Sequence, residues 1–378
     1  MMKRMTAILL TALLLLISGT TAAALSEEDI SSPSGILMDA SSGKILFKKN
    51  VHEQRPCASI TKVMTLLLVM EALDTEKIHL DDVVTASAHA ASMGGSDIWL
   101  EEGEQMTVDE MIKATAVASA NDAAVALAEF ISGTEDDFVR AMNDKAKALG
   151  MKDTTFMNCN GLDEEGHITS AYDVALMSRE LIRHPKIFEY TAIWLDYLRG
   201  GETQIVNTNK LLRTYDGITG LKTGTTGDAG SCITATAERD GMSLIAVVLG
   251  ADSGKERFRD AAALLDYGFA NFETVPLKLS ESLYPIAVES GMSDTVKIVC
   301  GDTGFMTLPK GESENLKQTL TVEESLTAPV KKGTKVGKLT FSLNGEEAAA
   351  FDVLTDEDVE EKTFTTVFAL LWQAMTRL

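Results

Sequence analysis

A serine hydroxyl attacks carbonyl carbon poorly until an adjacent base takes its proton. A neutral lysine amine is such a base, and Ser59 and Lys62 lie three residues apart. If both open a helix, positions i and i+3 share a face and the side chains meet. Lys62 serves as a base only with a lowered pKa, which burial and a second nearby cation both promote. Two further signals follow: Ser119-Ala120-Asn121 and Lys222-Thr223-Gly224. Ser119 suits a proton relay to a leaving amine. Asn121 suits a hydrogen bond to a peptide substrate and a hold on Lys62. Lys222 offers a charge for a carboxylate and is the expected second cation. Thr223 and Thr225 offer hydroxyls to the same anion. Gly224 lets another backbone come close. Amides at the start of the helix of Ser59 suit a developing oxyanion.

Singly these signals are weak. A chain of 378 residues holds about one or two Ser-x-x-Lys matches by chance, and Ser41-Ser42-Gly43-Lys44 is a second one here. Setting separates them. Residues 35–40 and 44–48 read as strands joined by a tight turn at Ser41-Ser42-Gly43, where nothing fixes serine against lysine. Residues 59–73 place Val63, Leu66, Leu67 and Met70 at helical spacing, and Leu68 and Val69 make the segment apolar nearly all round. That predicts a buried central helix. Alone, Ser119-Ala120-Asn121 reads equally as a polar turn between helices, and Lys222 as a lysine on a solvated edge strand.

Other elements must position these groups. Helices are predicted over 107–118, with Thr107 and Glu110 as a capping box, and over 122–131, 138–149 and 172–184, the last stopped by Pro185. Residues 220–225 read as extended. Residues 231–239 and 242–250 read as strands joined by Asp240-Gly241, a hairpin signal, and 255–272 as a helix. Strands thus open and close the region 25–274 and helices fill its middle, which predicts an α+β fold, an antiparallel sheet with helices packed on it. From Val275 the texture changes to short alternating stretches, read as a small all-β domain over 275–355. Residues 356–378 begin acidic and end in an amphipathic helix. Phe364, Val367, Phe368, Leu371, Trp372, Met375 and Leu378 form its apolar face, opposite Thr365, Thr366, Gln373 and Thr376. It is too short to span a bilayer and reads as lying in the interface. Packing on its own domain or on a second copy is the alternative.

The first 24 residues read as a signal peptide: Lys3 and Arg4, an apolar run over 7–17, then Ala22-Ala23-Ala24 as the cleavage site. Its loss would leave the chain two charges more negative than the −22 of the full sequence. So acidic a chain does not suit nucleic-acid phosphates. The four cysteines match no metal spacing and are expected mostly as buried thiols. His167 and Asp173 fall in a segment bordering the expected cleft, where a lone histidine reads first as a surface or packing residue.

The three signals, in this order and in these settings, resemble the motif set of the penicillin-binding and β-lactamase-like serine acyltransferases. The closest resemblance is to the low-molecular-mass penicillin-binding proteins, the serine-type D-alanyl-D-alanine carboxypeptidases (peptidase S11-like). Gly95-Ser96-Asp97-Ile98-Trp99-Leu100-Glu101-Glu102-Gly103-Glu104 and Arg257-Phe258-Arg259-Asp260-Ala261 resemble that family too, as do the β-rich extension and the C-terminal helix. The resemblance implies that Ser59 attacks the carbonyl of a penultimate D-alanine, with Lys62 as proton acceptor and Ser119 and Asn121 assisting. It implies that Lys222 binds the terminal carboxylate and that the amides of Ser59 and Thr225 form the oxyanion hole. It implies peptidoglycan stem peptides as substrate, β-lactam antibiotics as covalent inhibitors, and no metal or cofactor. It also implies an exported protein held on the outer face of the cytoplasmic membrane by its last helix. A class A-like β-lactamase, with Glu164 or Glu165 activating water, stays open, as do a D-alanyl endopeptidase and a non-catalytic cell-wall-binding relative.

Overall fold

A computed structural model describes residues 25–280 and 282–376. The predicted signal peptide and Leu378 lie outside them. Contacts divide the chain into two units, one ending at Asn271 and the other beginning at Phe272.

The first unit is built on a five-stranded antiparallel sheet. Strands β1 (Ser34–Asp39) and β2 (Ile45–Lys49) form the predicted hairpin. Strands β3 (Ile218–Thr226), β4 (Gly230–Arg239) and β5 (Met242–Ala251) come from the far end of the unit. The order is β2-β1-β5-β4-β3. Side chains alternate across the pleat. Ile36, Met38, Ile245 and Val247 enter the core shared with the intervening helices. Leu37 and Leu244 point the other way, onto helix α6 (Gly254–Asn271). There a Cβ on Gly268 would stand 2.5 Å from Leu244 and 2.9 Å from Leu37. With both faces covered, β4 and β5 read as near-continuous buried runs.

Between the sheet halves lie α1 (Lys62–Asp74), α2 (Val108–Lys113), α3 (Asn121–Ser132), α4 (Glu135–Ala148) and α5 (Ala171–Leu181). Helix α1 is central, with Val63, Met64, Leu66, Leu67, Val69 and Met70 all buried, as its apolar circumference requires. Two local differences from the sequence reading matter. Ser59 does not open the α-helix but sits in a 3-10 turn, Ala58–Thr61, with Lys62 the first α-helical residue. Three residues per turn stack i over i+3 more closely than an α-helix does. The helix expected over 107–118 keeps its Thr107–Glu110 capping box but widens after Lys113 into a π-turn, Ala114–Ala118. Wide turns of this kind gather at functional sites, and this one ends on Ser119.

The second unit is all-β apart from a short 3-10 turn and the last helix. Its four-stranded sheet runs Ile298–Cys300, Glu346–Thr355, Lys335–Leu343, Leu316–Val322 in spatial order. Val288, Val296, Val336, Leu339, Phe341 and Val353 form its core. Strand Phe272–Pro276 pairs with Phe305–Pro309 and so belongs to this unit, although the sequence changes texture only at Val275. The C-terminal helix, α7, spans Phe364–Thr376.

Candidate active site

The Ser59 hydroxyl is half-buried at the mouth of the first unit's core, and Lys62 beneath it is completely buried. Lys62 Nζ lies 3.0 Å from Ser59 Oγ, 2.5 Å from Asn121 Oδ1 and 2.6 Å from the Asn160 carbonyl oxygen. Two of these neighbours accept hydrogen bonds and cannot donate. A neutral amine has two N–H bonds and one lone pair. Its hydrogens go to Asn121 and Asn160, which leaves the lone pair facing the Ser59 hydroxyl. Glycines allow this crowding. A Cβ on Gly161, whose φ is +85°, would stand 2.0 Å from the Ala58 carbonyl oxygen. One on Gly224 would stand 2.8 Å from the Cys57 oxygen and 2.9 Å from the Ser59 nitrogen.

Ser119 caps the π-turn with a left-handed φ of 62°, and Asn121 begins α3. The Asn121 amide is used at both ends: Oδ1 accepts from Lys62, and Nδ2 donates to the Gly94 carbonyl at 2.6 Å. One Nδ2 hydrogen remains for a ligand. The backbone N–H of Asn121 donates to the Ser96 carbonyl at 2.7 Å. Buried Asp122 accepts from Ile98 N at 3.0 Å, Leu100 N at 3.0 Å and Ala123 N at 2.8 Å. The 94–104 loop is therefore strapped to the Ser119-Ala120-Asn121 turn.

Strand β3 closes the third side. Lys222 Nζ donates to Ser119 Oγ at 2.8 Å and to the Thr223 carbonyl at 2.9 Å. Thr223 Oγ1 meets Thr208 Oγ1 at 2.6 Å. Exposed Thr225 accepts at Oγ1 from Arg257 Nη1 at 2.8 Å, and the same guanidinium nitrogen donates to the Gly224 carbonyl at 2.8 Å.

Burial lowers Lys62 to about 7, against the pull of Cys159, Asp122 and Cys57, which favour its charged form. Burial is the leading cause for Lys62, and the expected second cation, Lys222, is linked to it by charge repulsion. Lys222 is itself fully enclosed, and its own charge is suppressed well below the usual range by burial, then by Lys62 and Arg257. Desolvation acts first on both amines, and a charge on either disfavours a charge on the other. Cys57, two residues before the nucleophile, is pushed up to about 12 by burial and stays a thiol. The cysteines are unpaired, three of them buried and Cys300 partly so. Among the described residues no cluster of three metal-ligating side chains occurs.

The sequence profile of D-alanyl-D-alanine carboxypeptidases (peptidase S11) matches residues 20–253, and that of the penicillin-binding protein 5 C-terminal domain matches residues 272–361. The chain belongs to the D-alanyl-D-alanine carboxypeptidase family. It is 44% identical to the D-alanyl-D-alanine carboxypeptidase DacF of Bacillus subtilis over 88% of this chain and 87% of that one. It is similar in structure to penicillin-binding protein 5 of Haemophilus influenzae, with a TM-score of 0.78, 33% identity, and 89% and 100% of the two chains covered. Ampicillin-bound penicillin-binding protein D2 of Listeria monocytogenes aligns at a TM-score of 0.59 and 33% identity, over 64% of this chain and 98% of that one.

In this carboxypeptidase-family chain the structure brings Ser59, Lys62, Ser119, Asn121, Lys222, Thr223, Gly224 and Thr225 to one cleft. The decoy Ser41 stays in its hairpin, where its carbonyl accepts from Arg179 Nη2 at 2.8 Å. Asn160, Asp122 and Arg257 carry no signal in the three motifs, yet Asn160 and Arg257 each hold a motif residue and Asp122 holds the loop beside Asn121. Asn160 acts through its carbonyl, which every residue type has. Arg257 begins the Arg257–Ala261 segment that resembles the family. Asp173 is buried and accepts from Asp153 N and Thr154 Oγ1 at 2.7 Å each, holding a loop together.

Proposed function

We propose that the chain is a serine-type D-Ala-D-Ala carboxypeptidase that trims the terminal D-alanine from peptidoglycan pentapeptides through a Ser59 acyl-enzyme, and that β-lactams acylate the same serine. The observation that carries this reading is the Lys62 amine, buried, lowered to about 7, and left with one lone pair on Ser59. Ser59 Oγ bonds to the carbonyl carbon of the penultimate D-alanine while its proton passes to Lys62 Nζ. The oxyanion is taken by the amides of Ser59 and Thr225, a placement supported by the close approach of Gly224 to the Ser59 nitrogen. Collapse breaks the C–N bond to the terminal D-alanine, whose amine receives a proton by way of Ser119. Water then hydrolyses the ester and regenerates Ser59. The terminal carboxylate supplies the countercharge that Lys222 lacks, drawing a proton onto it. Thr223 and the Thr225 hydroxyl, which Arg257 holds, complete that end of the cleft, and Asn121 offers its remaining N–H to the peptide.

A β-lactamase reading requires a glutamate in position to activate water. Glu164 and Glu165 are both exposed, and the Glu164 carboxylate accepts from Asn158 Nδ2 at 2.9 Å, which does not favour it. The test is incubation with a pentapeptide ending in D-Ala-D-Ala, followed by mass analysis. Loss of one alanine is expected, abolished in Ser59→Ala and retained in Ser41→Ala. Rapid turnover of penicillin without loss of alanine would overturn the reading.

The same reading places the protein outside the cell, on the outer face of the cytoplasmic membrane, attached by α7. Exposed Phe364, Phe368, Trp372 and Met375 support it. The acidic lead-in gives anionic lipid no charge to grip, so attachment rests on apolar burial.

A further inference from the structure

The buried imidazole of His167 is not among the motif residues, yet it touches both segments that fix Lys62. Its Nδ1 accepts the backbone N–H of Met157 at 3.1 Å, so Nδ1 carries no proton. The ring hydrogen is therefore on Nε2, which donates to Thr61 Oγ1 at 2.7 Å. The Thr61 hydroxyl can then donate only elsewhere, and Cys57 Sγ lies 3.4 Å away. Phe156 packs against the ring edge-on, with centroids 5.8 Å apart.

The two tethered segments are the ones that matter for the base. Thr61 lies in the 3-10 turn between Ser59 and Lys62. Met157 begins the stretch whose Cys159 carbonyl accepts from Thr65 at 2.6 Å and whose Asn160 carbonyl accepts from Lys62 at 2.6 Å. One ring thus spans from the backbone that carries Lys62 to the backbone that orients its amine. Moving the second segment outward would take the Asn160 oxygen away from Nζ and admit water. The lone pair would no longer be confined to Ser59.

We propose that His167 is a positioning residue for acyl transfer, a neutral brace between the Ser59–Lys62 turn and the 157–160 segment. This rests on the reading of Lys62 as the proton acceptor. Burial keeps the ring neutral, lowering it to about 4 against the pull of Glu164 and Asp163, the acidic groups beside it.

The experiment compares the parent, His167→Phe, Thr61→Val and the double variant in the full chain. Acylation by a fluorescent penicillin is followed from pH 5 to 9, with the pentapeptide kcat and KM and the melting temperature measured in parallel. His167→Phe fills the space without the hydrogen bonds. Thr61→Val is isosteric and breaks the same contact from the other end, so it decides the matter if the first variant folds poorly. Each single variant is expected to lower acylation by on the order of tenfold to a hundredfold, as small displacements of a reacting group do. KM should change little. The midpoint of the pH–rate curve should move up as water reaches Lys62, and the double variant should be no slower than the slower single one. Parental acylation rates and an unmoved midpoint in folded Thr61→Val, or effects that simply multiply in the double variant, would overturn the proposal. If the parent releases no D-alanine while its acylation depends on His167, the carboxypeptidase reading fails and the brace stands.

Discussion

Lys62 has to be uncharged to help Ser59, and its surroundings oppose one another on that point. Burial removes the water that would solvate an ammonium, while Asp122 and the neighbouring thiols favour the charge. Burial wins, and the result lies near 7. Below that pH Lys62 holds its proton and the Ser59 hydroxyl has no acceptor, so acylation should rise with pH through a midpoint near 7. Stopped-flow mixing with a chromogenic β-lactam measures this, and a rate that falls between pH 5 and 8 would exclude Lys62 as the base. Stability follows in the same direction. The folded pKa is below the ordinary 10.5, so between about 7 and 10.5 the unfolded chain binds the extra proton. The Lys62 contribution to stability therefore grows as pH rises through that window and is least below it. Urea midpoints at pH 7 and pH 9 would register the trend in wild type relative to Lys62→Met.

Three pieces of backbone meet at the nucleophile: the 3-10 turn, the 157–161 segment and strand β3. Their approach is set by glycines rather than by side-chain chemistry. At Gly224 the atoms that an added methyl would meet are the backbone of Cys57 and Ser59 and the Cβ of Ala58. None is the end of a flexible side chain. Gly224→Ala should lift β3 from the turn, at a cost of about 1–3 kcal/mol for overpacking. Because the displaced strand carries Lys222 and Thr225, acylation should fall by at least about tenfold. Gly161→Ala adds a left-handed φ of 85° to a closer clash, and should be the more destabilising of the two. Thermal melts and penicillin labelling of both variants check the order. Equal stability of Gly161→Ala and wild type would contradict the packing described.

The second unit has its own core and its own sheets, and the last helix hangs on residues that this core uses. Val359 is buried and bridges Val330, while Met292 N donates to the Glu360 carbonyl and Lys362 N to the Ser290 carbonyl. A truncation meant to test the proposed membrane attachment of α7 must therefore keep these residues. A stop after Thr363 removes only α7, whose Phe364, Phe368 and Trp372 rings stack at 6.0 and 6.4 Å along an exposed face. No helix among the described residues is long and apolar enough to cross a membrane, so the attachment tested is interfacial. The truncated protein should keep its melting temperature and its penicillin labelling, and should leave the membrane fraction on cell fractionation. Full retention there would rule out α7 as the anchor.

Local chemistry is written in the chain. The apolar circumference of 59–73, the Thr107–Glu110 capping box and the Asp240-Gly241 turn depend on neighbours a few residues apart, and each lies within a few residues of where periodicity and propensity place it. The Ser59–Lys62 pair is local too, and the helical setting separates it from Ser41. The π-turn that ends on Ser119 carries no such signal, because one extra residue in a turn leaves composition unchanged. The state of Lys62 is half legible: burial can be read from the apolar helix, but which charges surround the amine depends on Cys159, Asp122 and Cys57, which only folding assembles. Asn160 reaches it through a carbonyl, Asp122 acts on it by charge while backbone amides hold its carboxylate, and His167 ties two segments with a tautomer fixed by Met157. Such contacts depend on where chain segments pass one another, and the identity of any single residue does not encode that.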